Sequence, residues 1–205
     1  MSSSEFARQL TLRLERLPFL PPLATRQLMQ LECYYELLRK WNRRINLTSL
    51  GLDAFLPETL DRLFIEPFVA SSLLDDPLLC IDLGAGGGSP GIPLGISRPG
   101  MQLILVESKE RKSAFLREVL RELPLVGDVV TSRADAIPAE YFGRADVVSA
   151  RAVKMDETLA HLIRKLLTPN GSFLSFGSSA NIRGFQVMAQ RFLGDCCVRR
   201  LAAEP

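Results

Sequence analysis

The chain has 205 residues, 47% of them hydrophobic and 23% charged, with a formal net charge of +2. That size predicts one core-forming unit with at most a small appendage, and a balance this near neutral excludes identifying a nucleic-acid binder from bulk charge while leaving local basic patches open. The N-terminus lacks an apolar signal segment and no run approaches eighteen apolar residues, so secretion and membrane spanning are both unexpected.

The four cysteines, Cys33, Cys80, Cys196 and Cys197, contain no C-x-x-C pair and read as reduced thiols of a cytoplasmic protein. The single histidine, His161, excludes a multi-histidine metal centre and reads as structural within its helix. A monomer is the expected state.

Residues 5–17 carry helical spacing through Phe6, Leu10, Leu14 and Leu17, stopped by Pro18, Pro21 and Pro22. A stronger helix is predicted through Leu28, Leu31, Tyr34, Leu38, Trp41 and Ile45. A third helical stretch is predicted from about Glu58 to Leu74, with kinks at Pro57 and Pro67. Together, residues 1–76 are expected to form an all-helical cap on a core of residues 77–205, in a single compact unit with a soft boundary near Leu74–Pro77.

From Leu78 the period changes. Strand-like runs are predicted at 79–82, 102–106, 126–131, 145–149 and 172–176, with helices at 91–97, 109–122 and 155–167 between them. This alternation predicts an α/β fold with a mostly parallel sheet covered on both faces. Residues 181–193 carry a helical reading, and Cys196–Ala202 reads as a late, antiparallel edge strand.

The first strand runs into a loop with five glycines among the eight residues Gly84–Gly91, and a helix follows. Strand, glycine loop and helix bring main chain against a nucleotide-like cofactor. Two cofactor classes fit. The nicotinamide pattern G-x-G-x-x-G counted from Gly84 places Ser89 third; counted from Gly86 it reaches Gly91, one turn late. The form Asp82-Leu83-Gly84-Ala85-Gly86, with an acid before the first glycine, suits S-adenosylmethionine, whose ammonium seeks carbonyls and a carboxylate such as Asp82. Glu107, at the tip of the second strand, is placed to accept ribose hydroxyl protons. Ala134 and Asp135, after the third strand, are placed beside an adenine. The competing readings are a ligand-free tight turn and, for Asp135, a helix N-cap.

The residues Tyr35-Glu36-Leu37-Leu38-x-x-Trp41-Asn42-x-x-Ile45-Asn46-Leu47-Thr48-Ser49 resemble the N-terminal signature of the bacterial glucose-inhibited division protein B family, 16S rRNA guanine-N7 methyltransferases. The glycine loop with Pro90-Gly91-Ile92-Pro93-Leu94 is similar to the same family, as are Glu107-Ser108-x-x-Arg111-Lys112-x-x-Phe115-Leu116, Arg133-Ala134-Asp135 and Asp146-Val147-Val148-Ser149-Ala150-Arg151-Ala152-Val153. The likeness runs from about residue 28 to 176.

The resemblance implies a class I, Rossmann-like methyltransferase fold with S-adenosyl-L-methionine as donor and a guanine of the small ribosomal subunit as acceptor. Carried over by position, Gly84, Ser89, Ala134, Asp135 and Arg151 match the family's cofactor-contacting places. The family usually has Arg-His and Asp-Ser where this chain has Arg62-Leu63 and Glu66-Pro67, and Leu-Lys-Gly where Phe176-Gly177-Ser178 stands.

Guanine N7 has an exposed lone pair, so no general base is needed. Arg151 is expected to position the cofactor or the guanine edge, against the alternative of a surface salt bridge. Arg43, Arg44 and Asn46, near Trp41, and Arg111 and Lys112, in the run with Lys109, Arg117 and Arg121, are candidate RNA contacts. Solvated helix faces are the alternative for both runs. The competing functions are a same-fold methyltransferase with another RNA or small-molecule acceptor, a non-catalytic cofactor- or RNA-binding module, and, more remotely, a nicotinamide dehydrogenase.

Overall fold

The computed structural model describes residues 4–76, 79–153, 155–177 and 182–204. Pro77 and Leu78, at the expected boundary between cap and core, lie outside the described residues, as do Ser178 and Asn181.

Seven strands form one sheet: β1 (Leu79–Leu83), β2 (Gln102–Glu107), β3 (Gly127–Thr131), β4 (Ala145–Ala150), β5 (Leu167–Phe176), β6 (Phe185–Leu193) and β7 (Cys196–Ala203), in the order β3-β2-β1-β4-β5-β7-β6. The first five run parallel, and β7 is inserted antiparallel between β5 and β6. The strand order changes direction between β1 and β4, so a crevice opens beyond their carboxyl ends.

The helices are α1 (Glu5–Leu14), α2 (Thr25–Asn42), α3 (Pro57–Leu60), α4 (Glu66–Ser71), α5 (Gly91–Ser97), α6 (Glu110–Glu122) and α7 (Glu157–Leu166). Side chains alternate across a strand, and the core divides accordingly. Cys80, Leu103, Leu105 and Val147 face α1, α2 and α4–α6, with Tyr34, Tyr35 and Phe64 fully enclosed on that side. Leu79, Ile81, Leu83 and Val148 face α7, whose Leu159, Ala160, Ile163 and Leu166 form its apolar stripe.

Three expectations need correction. Residues 185–193 form β6, a strand and not a helix. Phe185, Val187, Phe192 and Leu193 satisfy helical spacing loosely, but pairing along β7 supplies their backbone partners. β7 is accordingly an interior strand, and the edge is β6. The second predicted helix also stops earlier than Ile45. Asn42 ends α2 because its Oδ1 accepts the N–H groups of Leu47 and Thr48, at 2.8 and 3.0 Å, and turns the chain.

Between α3 and α4 the predicted helix is interrupted by a π-helical turn, Asp61–Ile65. The Glu66 N–H reaches back five residues to Asp61 O, and Pro67 has no N–H to give. The Arg62 carbonyl is thereby released from the helix and accepts from Arg151 Nη1. The neighbouring Leu63 carbonyl accepts from Ser89 Oγ at 2.9 Å. A sequence-level break thus becomes a clamp between the N-terminal helices and the glycine loop.

Candidate functional site

The glycine loop is fixed from three sides. The Gly86 N–H donates to Glu107 Oε2 at 3.0 Å, joining the loop to the tip of β2. Tyr34 Oη donates to Gly87 O at 2.6 Å, joining it to α2. The Gly91 N–H donates to Asp82 Oδ2 at 3.2 Å, closing the turn into α5. Gly84 and Gly86 hold φ of +71° and +54°, in the left-handed region that disfavours a side chain.

Two cavities meet at Gly84. The first, of about 460 Å³, has apolar walls from Val106, Val153, Leu159 and Leu162, and Glu107 and the Ala134–Asp135 turn also line it. The second, of about 350 Å³, is lined by Leu63, Ser89, Arg62, Lys112 and Arg151 and by the Asn46–Thr48 loop, with no acid among its walls. A Cβ built on Gly84 would lie 3.1 Å from Val153 Cγ2, so any side chain there would intrude where the cavities join.

Arg151 follows β4 and faces the second cavity. It is an ion-pair residue, but a buried one. Its Nη2 lies 3.3 Å from Glu66 Oε2, with the two side chains 11% and 6% exposed, and its guanidinium stacks 4.5 Å from the Phe176 ring centroid. Burial pushes its pKa down while Glu66 opposes the shift. The contact with Glu66 meets the distance of an ion pair without the geometry of a hydrogen bond. Nε and Nη2 therefore remain without hydrogen-bond partners, a costly state that a ligand atom would relieve.

Asp82 does not sit where the sequence places it. It is 1% exposed and lines neither cavity. Its Oδ1 accepts from Ser149 Oγ at 2.7 Å and its Oδ2 from Gly91 N. It braces β1, β4 and the N-terminus of α5, and burial pushes its pKa up to about 7. This carboxylate occupies the helix end that a pyrophosphate would need, which disfavours the nicotinamide reading.

The remaining candidates divide. Gly84, Gly86 and Ser89 line the second cavity, and Glu107, Ala134 and Asp135 the first. Asp135 forms a bidentate pair with Arg133, at 3.0 and 3.1 Å, which holds its pKa low; it caps no helix. Asn46 and Lys112 reach the Arg151 cavity, whereas Arg44 and Arg111 line a separate concavity. Arg43 faces Asp53 at 3.8 Å. His161 is exposed and lines neither central cavity.

Sequence reasoning missed Glu66 as a partner of Arg151. Its signal was an acid set among Phe64, Ile65, Phe68 and Val69, where an unpaired charge is unexpected. It also gave no site role to Val153, the last residue of the Asp146–Val153 motif, or to Asp156, which belongs to no motif; both line the first cavity.

A sheet in this order, with one reversed strand and paired cavities at its switch point, defines the class I methyltransferase fold. The solved precorrin-6y C5,15-methyltransferase of Geobacter metallireducens GS-15 superposes with a TM-score of 0.51 at 18% identity, over 68% of this chain and 87% of that one. The chain belongs to the GidB family, rRNA small subunit methyltransferase G, whose sequence model matches residues 27–186.

Among its relatives is the ribosomal RNA small subunit methyltransferase G of Stenotrophomonas maltophilia (strain K279a), 41% identical over 148 residues. Another, of the same name, is from Xanthomonas euvesicatoria pv. vesicatoria (strain 85-10), 42% identical over 150 residues. Each match covers 69% of this chain and 65% of the relative's length. No described helix is long and apolar enough to cross a membrane.

Proposed function

We propose that the protein transfers a methyl group from S-adenosylmethionine to N7 of a guanine in the 16S rRNA of the small ribosomal subunit. The observation that carries this reading is the junction at Gly84, where a nucleoside-sized cavity opens onto an acid-free, cationic one. The residues fit the cofactor. Apolar walls suit an adenine, Glu107 suits ribose hydroxyls, and the glycine main chain leaves room for the amino-acid tail. When bound, the group supplies an electrophilic methyl on a sulfonium.

The chain's own residues act by placement. Gly84 and Gly86 keep side chains out of the junction, and the Leu63 side chain gives the acceptor cavity an apolar wall. Arg151, whose buried Nε and Nη2 lack hydrogen-bond partners, lies beside that wall. N7 needs no deprotonation, so orientation is the main contribution, worth up to about 7–11 kcal/mol in favourable systems. The acceptor base must be unpaired or flipped to enter. In this reading residues 1–76 form the cap that closes the acceptor side, residues 77–205 form the core, and the protein works in the cytoplasm as a monomer.

A second reading, a different acceptor with the same donor, is favoured by one observation. Leu63 lines the acceptor cavity where the family usually has histidine. Labelled methyl transfer to small subunits from cells lacking this modification, with mapping of the labelled base, separates the two. Label at a guanine N7 supports the first reading, and label at another position or none overturns it.

A further inference from the structure

Beside the Arg151 cavity lies a concavity of about 340 Å³ that the reaction leaves unused. Lys40, Trp41, Arg44 and Ile45, from the end of α2 and the turn after it, form one wall; Arg111 and Ala114, from α6, form the other. Two basic runs far apart in sequence therefore converge. Lys40, Arg44 and Arg111 are exposed, and among the described residues none has an acidic partner.

Their neighbours on the same helices behave differently. Arg39 lies 3.0 Å from Asp53, Arg117 is 3.4 Å from Glu110, and Arg121 is 3.1 Å from Glu122. The cations that line the concavity have no such partner, which leaves a concentrated positive field in a recess. Trp41, packed at 5.8 Å against Phe115, supplies an indole wall inside that field.

Cations for phosphate beside an aromatic face for a base is the chemistry of a single-stranded nucleotide. The recess also abuts the acceptor cavity. Ile45 and Arg111 line the recess, and the next residues, Asn46 and Lys112, line the acceptor cavity. We propose that this recess binds the base and phosphate of an unpaired nucleotide adjoining the methylated guanine. The proposal rests on the RNA-acceptor reading given above.

Trp41 is the only tryptophan of the chain, so its fluorescence reports this recess alone. Titration of the full chain with a single-stranded RNA hexamer is expected to quench Trp41 emission, whereas polyglutamate of matched charge leaves it unchanged. The exposed-site double variant Arg44→Gln/Arg111→Gln is expected to lose about tenfold in kcat/KM on small subunits, chiefly through KM, while S-adenosylhomocysteine affinity and the melting temperature hold.

An unchanged KM in that variant overturns the subsite and leaves the methyl-transfer reading intact. Quenching by polyglutamate but not by RNA overturns it in favour of an acidic protein partner. Absence of methyl transfer by the unaltered protein, with hexamer quenching preserved, overturns the reaction instead and supports a nucleotide recess.

Discussion

Ser149 Oγ donates to Asp82 Oδ1 at 2.7 Å, tying β4 to β1 beneath the glycine loop with both side chains buried. The same carboxylate takes the Gly91 N–H, so two elements of the switch point depend on one ionisable group. Desolvation outweighs these hydrogen bonds and pushes the Asp82 pKa from 3.8 up to about 7. The folded state then binds a proton that the unfolded state has lost between those pH values. Stability from this group is present below pH 4 and declines as pH rises through 7, by roughly 4 kcal/mol in all. Asp82→Asn lacks this titration. Its melting temperature relative to the unaltered protein is expected to rise between pH 4 and pH 8, as thermal melts across that range would show.

The loop glycines are expected to separate into two classes. A Cβ on Gly88, at φ +92°, would lie 2.9 Å from Ile92 Cγ1 and 3.4 Å from Leu116 and Tyr34. Gly88→Ala is therefore expected to lose about 1–3 kcal/mol by crowding and strain. Gly84→Ala meets only Val153 Cγ2, at 3.1 Å and at the junction of the cavities. Its larger effect is expected on S-adenosylhomocysteine affinity, read by calorimetry beside chemical denaturation.

Much of this arrangement was legible because local signals and tertiary pairing agree. The strands β1, β2 and β4 announce themselves as short apolar runs of the kind buried on both faces, whereas β3 is half-exposed, and Gly84–Gly91 marks the loop. The legible part ends where pairing decides. Phe185–Leu193 has no strong period, and only the presence of β7 beside it makes it a strand. Asp82 misled for a related reason: an acid at a strand tip before a glycine loop points to a ligand by pattern, yet alternation along β1 puts it on the same face as Cys80, under α5, onto Gly91 and Ser149. Arg151 and Glu66 stand 85 residues apart, and no spacing rule joins them.

That pair yields a third expectation. Glu66→Ala leaves the Arg151 guanidinium buried without its counter-charge, at a cost of about 3 kcal/mol. The double variant Glu66→Leu/Arg151→Leu is expected to be more stable than the sum of the single losses, since no charge is then stranded. A double-mutant cycle by denaturant unfolding is expected to give a coupling of about 1–3 kcal/mol. A coupling near zero would show that the two side chains contribute to stability independently.

Asn42 is expected to act at a distance from the chemistry. Its Oδ1 takes the Leu47 and Thr48 N–H groups, and that loop lines the Arg151 cavity. Asn42→Ala leaves both donors without this acceptor and is expected to destabilise the fold by about 1–2 kcal/mol. The KM for small subunits is expected to rise while S-adenosylhomocysteine affinity is kept. Equal losses in both affinities would mean that the loop supports the whole site and not the acceptor side.

Isothermal calorimetry with S-adenosylhomocysteine bears on the donor cavity most directly. The account predicts one site per chain, abolished or greatly weakened in a folded Gly84→Val variant, with no heat from NADH under the same conditions. Absence of heat from folded, unaltered protein, or equal binding by Gly84→Val, would contradict it.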